Sequence, residues 1–166
     1  MNLLSSFKKV FIMGIGGSGM SSIAKYLKQK GHNVEGYDQR ISYITNLLES
    51  DGVKTFQNLD DFKYQKDVLY IISSAINLED TFLANYYEND NVISRPKFLE
   101  LLSEEVEIIG ITGTHGKTST TALVSHIFHF NNKNLSFIYG GVSGFGNLGG
   151  HFGEKTQPLI LETDEA

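Results

Sequence analysis

The sequence predicts an α/β fold in which a parallel sheet is followed by the incomplete start of a second α/β unit. Two observations support this prediction. Short apolar runs alternate with stretches of helical spacing, and a glycine-rich segment directly follows two of those runs. The runs are nearly all apolar, which is typical of strands covered on both faces. We place the boundary near residue 103, so that the units are 1–103 and 104–166.

The first unit is predicted to alternate strands and helices as a doubly wound sheet. Its strand segments share runs of apolar or β-branched residues: 9–14, 33–38, 54–56, 68–72 and 91–94. Its helical segments share apolar residues spaced three and four apart: 18–30, 43–49, 80–87 and 96–102. In the first helix this spacing places Met20, Ile23, Ala24 and Leu27 on one face, and Gly31 suits its end.

The second unit repeats the same order in fewer residues. A strand is predicted at 106–112, a helix at 117–130, and strands at 137–139 and 159–162. The segment 140–153 carries seven glycines, which predicts a loop. So short a unit leaves apolar faces uncovered, and we expect further chain or a partner to cover them.

The composition excludes several functional classes. The chain has 166 residues, no Cys and a net charge of −5, so disulfides, thiolate zinc sites and cysteine nucleophiles are excluded. An acidic balance without a Lys/Arg cluster argues against nucleic-acid binding. The apolar runs are far shorter than the roughly 20 residues of a membrane span. Because the first residues lack a signal-peptide pattern, we expect a cytoplasmic location.

A first glycine loop, 14–19, matches the pattern G-x-G-x-x-G between a strand and a helix. In this pattern Gly14 permits a tight turn, Gly16 lets the backbone approach a diphosphate, and Gly19 lets helix and strand pack closely. Asp38 ends the next strand, where its carboxylate accepts hydrogen bonds from ribose hydroxyls. The pattern predicts a nucleotide diphosphate site and leaves open whether NAD or a UDP-sugar binds. Glycines that serve packing alone are the alternative.

A second loop is a shortened form of the phosphate-binding motif G-x-x-x-x-G-K-[ST]. Its main-chain N–H groups are placed to bind phosphates, Lys117 to reach the β- and γ-phosphates, and Thr118 to bind Mg²⁺. A lysine at the buried start of a helix is costly without an anionic partner. A flexible loop with an exposed lysine is the alternative. The predicted ATP-binding residues are Gly113, Thr114, His115, Gly116, Lys117, Thr118 and Ser119.

Glu162 is the first residue past the apolar run 159–161 of the last predicted strand. A carboxylate at the end of a strand near a phosphate loop commonly completes a Mg²⁺ site, so Glu162 is the second predicted metal ligand. A solvated acidic chain end is the alternative. His126 and His129 lie one helical turn apart without a third ligand in view, and we expect them to pack or be exposed rather than bind metal.

Together these motifs resemble the N-terminal part of the Mur ligases. The segments that carry the resemblance are 14–21, 36–38, 73–76, Arg95, 113–118, 140–141 and 162–165. They span essentially the whole chain, and two different nucleotide loops at this separation make the resemblance specific. It implies a Rossmann-like domain that holds the UDP moiety rather than NAD, followed by the incomplete start of a P-loop ATPase domain.

The resemblance implies an ATP- and Mg²⁺-dependent amide ligation that joins L-alanine to UDP-N-acetylmuramate through an acyl phosphate. Lys117 would stabilise the transferring phosphoryl group, and Thr118 and Glu162 would hold Mg²⁺. The implied UDP-sugar-binding residues are Gly14, Gly16, Gly17, Ser18, Gly19, Asp38, Ser73 and Ser74. The family branch that adds a tripeptide instead of alanine is the alternative within this class.

We expect the chain to be the first part of a longer protein and to be catalytically silent alone, because orientation and water exclusion need the missing walls. Two alternatives belong to other classes. A non-catalytic UDP-sugar-binding or partner-binding module would use the first unit only. An NAD-dependent dehydrogenase would leave the second loop and Lys117 unexplained. The oligomeric state is not predicted.

Overall fold

The computed structural model describes residues 3–143 and 147–163. Its first sheet has five strands: β1 (Lys9–Met13), β2 (Asn33–Tyr37), β3 (Lys54–Phe56), β4 (Val68–Ile72) and β5 (Val92–Ser94). They are all parallel and lie in the order β3-β2-β1-β4-β5. This confirms the predicted α/β class with a parallel sheet. The order reverses between β1 and β4, and open α/β sheets bind ligands beyond the strand ends at such a reversal.

The helices lie along the chain as α1 (Leu3–Ser6), α2 (Ser18–Gln29), α3 (Tyr43–Ser50), α4 (Arg95–Glu105) and α5 (Lys117–Phe130). Side chains of α2, α3 and α4 share one core with Val10 and Ile12 of β1, so these helices cover one face of the first sheet. The spacing predicted for α2 is confirmed, since its apolar stripe is buried. A capping box between Ser42 and Thr45 fixes the start of α3.

An aromatic layer covers the opposite face of the first sheet. Its members come from β1, β3, β4 and the two long connections β3–β4 and β4–β5: Phe11, Phe56, Phe62, Tyr64, Tyr70, Phe82 and Tyr86. The ring of Phe11 lies 5.1 Å from that of Phe62, and Tyr64 stacks on Tyr86 at 4.0 Å between centroids. The second face of the sheet is therefore covered by aromatic side chains of strands and connections, whereas helices cover the first face.

The helix predicted at 80–87 is wrong. The segment holds a short 3₁₀ turn, Leu78–Asp80, followed by further turns. The side chain of Asn77 accepts a hydrogen bond from the amide of Glu79, and that of Thr81 accepts one from the amide of Leu83. Such local side-chain bonds compete with helical backbone bonds, which overrides the apolar spacing.

The second sheet has four strands: β6 (Ile108–Ile111), β7 (Ser136–Val142), β8 (Leu148–His151) and β9 (Leu159–Glu162). Their order is β6-β9-β7-β8, and only the β7–β8 pair is antiparallel. The prediction that 140–153 forms a loop is wrong, because this segment carries the end of β7 and all of β8. Its glycines permit close backbone approach: a Cβ on Gly150 would lie 2.0 Å from the carbonyl oxygen of Ser22.

Helix α2 packs against both sheets. Its Ile23 and Leu27 share one core with Ile138 of β7 and Leu148 of β8 as well as with β1. The division near residue 103 therefore stays a prediction. None of the helices in residues 3–143 and 147–163 is long and apolar enough to cross a membrane.

Candidate functional site

The first glycine loop turns sharply at the end of β1. Gly14 has a φ of +79°, and a Cβ there would lie 2.9 Å from the Cβ of Ser73. The amide of Gly14 donates to the carbonyl of Tyr37 at 2.8 Å, which ties the turn to the end of β2. The loop is thus held at the reversal point of the sheet, and a side chain at position 14 would both strain the backbone and clash.

Asp38 lies directly against this loop. Its Oδ2 accepts a hydrogen bond from the amide of Gly16 at 2.9 Å, and its Oδ1 accepts one from the amide of Arg40 at 3.1 Å. A Cβ on Gly16 would lie 2.8 Å from Oδ2 of Asp38, so the close approach requires glycine. The structure therefore brings the predicted ribose-binding carboxylate to the predicted diphosphate loop, and the carboxylate also fixes the loop.

Ser73 and Ser74 follow β4 and line a cavity of about 620 Å³ together with Arg95. Arg95 is the first residue of α4, and its Nε would lie 3.1 Å from a Cβ on Gly19. The three atoms nearest to a Cβ at position 19 all belong to this guanidinium, and the predicted packing of helix on strand at Gly19 stays a prediction. A guanidinium binds phosphate with a pair of hydrogen bonds, which suits it to this edge of the loop.

Arg95 belongs to the segments that carry the family resemblance, but the sequence alone gives it no role. The signal that marks it is its position directly after β5, because the carboxyl ends of all the parallel strands meet at one edge of the sheet. Gly17 and Ser18 lie at the start of α2, where the helix presents its first N–H groups. The residues predicted to bind the UDP-sugar thus lie at the edge of the first sheet where its strands have their carboxyl ends.

The phosphate loop lies between β6 and α5. Gly116 caps α5 with a φ of +77°, and Gly113 has a φ of +145°, so both adopt conformations that favour glycine. The half-buried ammonium of Lys117 donates to the carbonyl of Gly113 at 2.5 Å and so lies over its own loop. The predicted neighbours Thr114, His115 and Ser119 are exposed on the same segment.

The two predicted metal ligands meet. The hydroxyl of Thr118 donates to Oε1 of Glu162 at 2.6 Å, although the two residues come from α5 and β9. The second oxygen of this carboxylate, Oε2, accepts the amide of Gly140 at 2.6 Å. Hydroxyl and carboxylate oxygens are the donors that Mg²⁺ prefers, and it usually completes its shell with water and substrate phosphates.

Within residues 3–143 and 147–163, no cluster of three or more His, Cys, Asp or Glu side chains is arranged to hold a metal ion. His126 and His129 are both exposed on α5. Asp164 and Glu165, which belong to the motif behind the resemblance, lie outside the described residues. The described oxygen pair therefore fits Mg²⁺ only as part of a site that bound phosphates complete.

The two candidate sites are neighbours. A Cβ on Gly140 would lie 3.4 Å from the Oγ of Ser18 and 3.5 Å from Oε2 of Glu162. Ser18 belongs to the diphosphate loop, and Glu162 belongs to the predicted Mg²⁺ site. One glycine therefore separates the two predicted sites.

Comparison with known proteins identifies the family to which the first sheet and its glycine loop belong. Residues 9–107, which carry the first sheet and its loop, match the model of a family described as "Mur ligase family, catalytic domain". The chain belongs to the Mur ligase family. The second loop of this Mur ligase chain lies beyond the matched residues, but individual relatives span both loops.

A UDP-N-acetylmuramate–L-alanine ligase of Cytophaga hutchinsonii is 34% identical over an alignment that covers 98% of this chain and 37% of the relative. The crystal structure of the UDP-N-acetylmuramate–alanine ligase of Thermotoga maritima is 26% identical with a TM-score of 0.78, over 94% of this chain and 37% of that one. The UDP-N-acetylmuramate:L-alanyl-gamma-D-glutamyl-meso-diaminopimelate ligase from Neisseria meningitides shares the fold, at 23% identity, a TM-score of 0.75, and coverage of 94% and 52%. This Mur ligase chain spans about a third of the length of the curated relatives it matches.

Proposed function

We propose that this chain forms the UDP-sugar site and part of the ATP site of a ligase that joins L-alanine to UDP-N-acetylmuramate in peptidoglycan precursor synthesis. One observation carries the proposal: Gly140 lies between Ser18 of the diphosphate loop and Glu162 of the oxygen pair. This proximity suits a substrate whose diphosphate binds at one loop and whose reacting carboxylate must meet ATP at the other. The curated relatives with this name support the choice of reaction.

The diphosphate of the UDP-sugar binds at the start of α2, where helical N–H groups and the guanidinium of Arg95 supply positive charge. Asp38 keeps lone pairs for the ribose hydroxyls while it holds the amide of Gly16. Ser73 and Ser74 supply hydroxyl donors from the opposite side of the sheet reversal. These residues bind and orient the sugar nucleotide, and they take no part in the bond changes.

At the second loop, main-chain N–H groups and Lys117 bind the β- and γ-phosphates of ATP. The muramate carboxylate attacks the γ-phosphorus, the bond to the bridging oxygen breaks, and ADP leaves with the electron pair. The amine of L-alanine then attacks the acyl carbon, loses a proton, and expels phosphate to leave the amide. Thr118 and Glu162 would hold Mg²⁺, which when bound neutralises phosphate charge.

The main test is calorimetric titration of the chain with UDP-N-acetylmuramate, UDP and NADH. We expect the two uridine nucleotides to bind and NADH not to bind. Asp38→Ala should lower the affinity for UDP about tenfold, which corresponds to about 1.4 kcal/mol, while Asp60→Ala, in the β3–β4 connection, should leave it unchanged. Binding of NADH without binding of UDP-N-acetylmuramate contradicts the proposal.

A second test addresses catalysis. Because the chain spans about a third of its relatives, we expect no product from it with ATP, Mg²⁺ and L-alanine. Formation of UDP-N-acetylmuramoyl-L-alanine by the chain alone contradicts that expectation. In a longer protein that contains this sequence, activity with a tripeptide but not with alanine would favour the tripeptide-adding branch.

A further inference from the structure

The peptide bond between Tyr139 and Gly140 connects the two candidate sites. Its carbonyl oxygen accepts a hydrogen bond from the hydroxyl of Ser22 in α2 at 2.6 Å. Its N–H donates to Oε2 of Glu162, also at 2.6 Å. The six atoms of a peptide unit lie in one plane, so its C=O and N–H directions cannot change independently. By fixing the direction of the C=O group, Ser22 therefore also fixes the direction of the N–H group that holds the carboxylate of Glu162.

The contact around this peptide is tight on the side of α2. Ser22 is 0% exposed, and a Cβ on Gly150 of β8 would lie 2.0 Å from its carbonyl oxygen. Backbone of the second sheet thus lies directly on backbone of α2, with no side chain between them. Because packed groups of this kind have few alternative arrangements, the hydroxyl of Ser22 meets the carbonyl of Tyr139 in a fixed geometry.

The carboxylate of Glu162 is held by residues of other strands and helices. Its Oε1 accepts a hydrogen bond from the exposed hydroxyl of Thr118, and its Oε2 accepts one from the amide of Gly140. Thr118 is itself a proposed ligand, whose hydroxyl would turn toward the metal. The Gly140 amide is therefore the contact that fixes the carboxylate while the metal site is in use.

We propose that Ser22 is a positioning residue, which orients Glu162 for Mg²⁺-nucleotide binding through the Tyr139–Gly140 peptide. The inference rests on the proposed function, since it assigns Glu162 to the metal site. It adds that the helix carrying the diphosphate loop also sets the geometry of the nucleotide site. The UDP-sugar site and the Mg²⁺-nucleotide site are thus connected through the Tyr139–Gly140 peptide.

The chain contains a matched control for Ser22. Ser21 is equally buried, and both hydroxyl oxygens lie 3.0 Å from the carbonyl oxygen of Ser18. The single proton of the Ser22 hydroxyl has a nearer acceptor in the carbonyl of Tyr139, at 2.6 Å. Ser22→Ala and Ser21→Ala therefore remove the same atom from the same helix turn, and they differ in the contact with β7.

The first measurement is amide hydrogen exchange of the full chain by NMR, which needs no ligand. Ser22→Ala should raise the exchange rate of the Gly140 amide about fivefold to tenfold, and Ser21→Ala should leave it within about twofold of the starting chain. Ser22→Cys, which keeps a weak donor of similar size, should give an intermediate rate. Amides of β1 serve as the control for folding and should keep their rates in all three variants.

The second measurement is titration with ADP at several Mg²⁺ concentrations, compared with titration with UDP-N-acetylmuramate. Ser22→Ala should weaken the Mg²⁺-dependent part of ADP binding and leave UDP-N-acetylmuramate binding unchanged, whereas a general loss of structure would weaken both. Equal effects of Ser21→Ala and Ser22→Ala, or an unchanged Gly140 amide in Ser22→Ala, overturn the proposal. Absence of Mg²⁺-dependent ADP binding in the unsubstituted chain also overturns the role assigned to Ser22.

These outcomes separate the inference from the proposed function. If the unsubstituted chain binds NADH instead of the UDP-sugar, the proposed function fails, while the dependence of Mg²⁺-ADP binding on Ser22 can still be present. If the UDP-sugar binds normally and the Gly140 amide ignores Ser22, the positioning role fails and the proposed function stands.

Discussion

The two sheets use the same kinds of elements but are enclosed differently. The first sheet is covered by helices on one face and by the aromatic layer on the other, and all five residues of β4 are buried. In the second sheet β6 is partly or fully exposed at every position. The exposed fractions of Leu123, Ile127 and Phe130 on α5 are 59%, 51% and 79%.

Helix α5 shows what this difference means. The side chains it buries against the sheet are Thr121 and Ser125, whose hydroxyls bond back to carbonyls one turn earlier in the helix. Because Leu123, Ile127 and Phe130 are exposed, their burial contributes little to the stability of this chain. The first sheet is thus covered on both faces, whereas the second sheet is buried where it meets α2, in the core that both sheets share.

The largest expected effect comes from one pair of phenylalanines, one in each region. Phe98 of α4 is 0% exposed, and Phe98→Ala should lower the free energy of unfolding by about 3–5 kcal/mol because it leaves a cavity. Phe130→Ala should change it by less than about 0.5 kcal/mol. Urea unfolding of the two variants measures both values, and similar losses would mean that the regions are equally well packed.

A smaller effect is expected where the second sheet meets α2. Gly150→Ala should destabilise the chain by about 1–3 kcal/mol, because the new methyl group would overlap the carbonyl oxygen of Ser22. Gly110→Ala in β6 is the control, since the nearest atom to its Cβ would be 3.7 Å away. Denaturant unfolding distinguishes the two. If Gly150→Ala is neutral, the second sheet does not depend on α2.

Ligand binding tests whether the first region is complete by itself. Arg95→Ala should weaken UDP binding about tenfold, or about 1.4 kcal/mol, because its guanidinium lies against the diphosphate loop. Lys97→Ala, two residues along the same helix, removes a cation paired with Glu100 and should have no effect. Calorimetry of both variants gives the comparison, and equal losses would indicate a general charge effect.

The smallest expected effect is a loss of stability in mild acid that both regions share. The pKa values of His32 in the first region and His151 in the second are lowered below the usual 6.5, mainly because both side chains are partly buried. The unfolded chain therefore binds more protons, so the free energy of unfolding is highest above pH 6.5 and falls as the pH drops below it. Unfolding at pH 7.5 and 5.5 measures the loss, and His151→Gln should reduce it. If neither His32→Gln nor His151→Gln changes the loss of stability in acid, the two histidines do not cause it.

The elements that sequence predicts well are those whose signal is local. The run 68–72 is apolar at every position, and β4 is buried at every position. Loop 113–119 and the start of α5 follow from glycine and lysine placement alone. Thr118 and Glu162 were each predicted as a Mg²⁺ ligand, and their side chains lie within hydrogen-bond distance of each other. Their role as metal ligands stays a prediction.

The features that sequence missed depend on contacts between distant residues. Glycines at 149 and 150 indicate a loop when only their neighbours are considered, but here they permit close approach to β7 and α2. The role of Ser22 depends on a carbonyl of β7. The contact of Arg95 with Gly19 likewise joins two helices that are far apart in the chain.

The aromatic layer also has a consequence for spectroscopy. The chain has no Trp, and seven of its eight tyrosines precede residue 103; Tyr139 is the exception. The stacked rings of Tyr64 and Tyr86 give the first sheet an asymmetric chromophore pair. Near-ultraviolet circular dichroism and tyrosine emission therefore follow mainly the melting of the first sheet. An opening of the second sheet changes them through two tyrosines, Tyr139 and Tyr26, whose ring contacts Phe152.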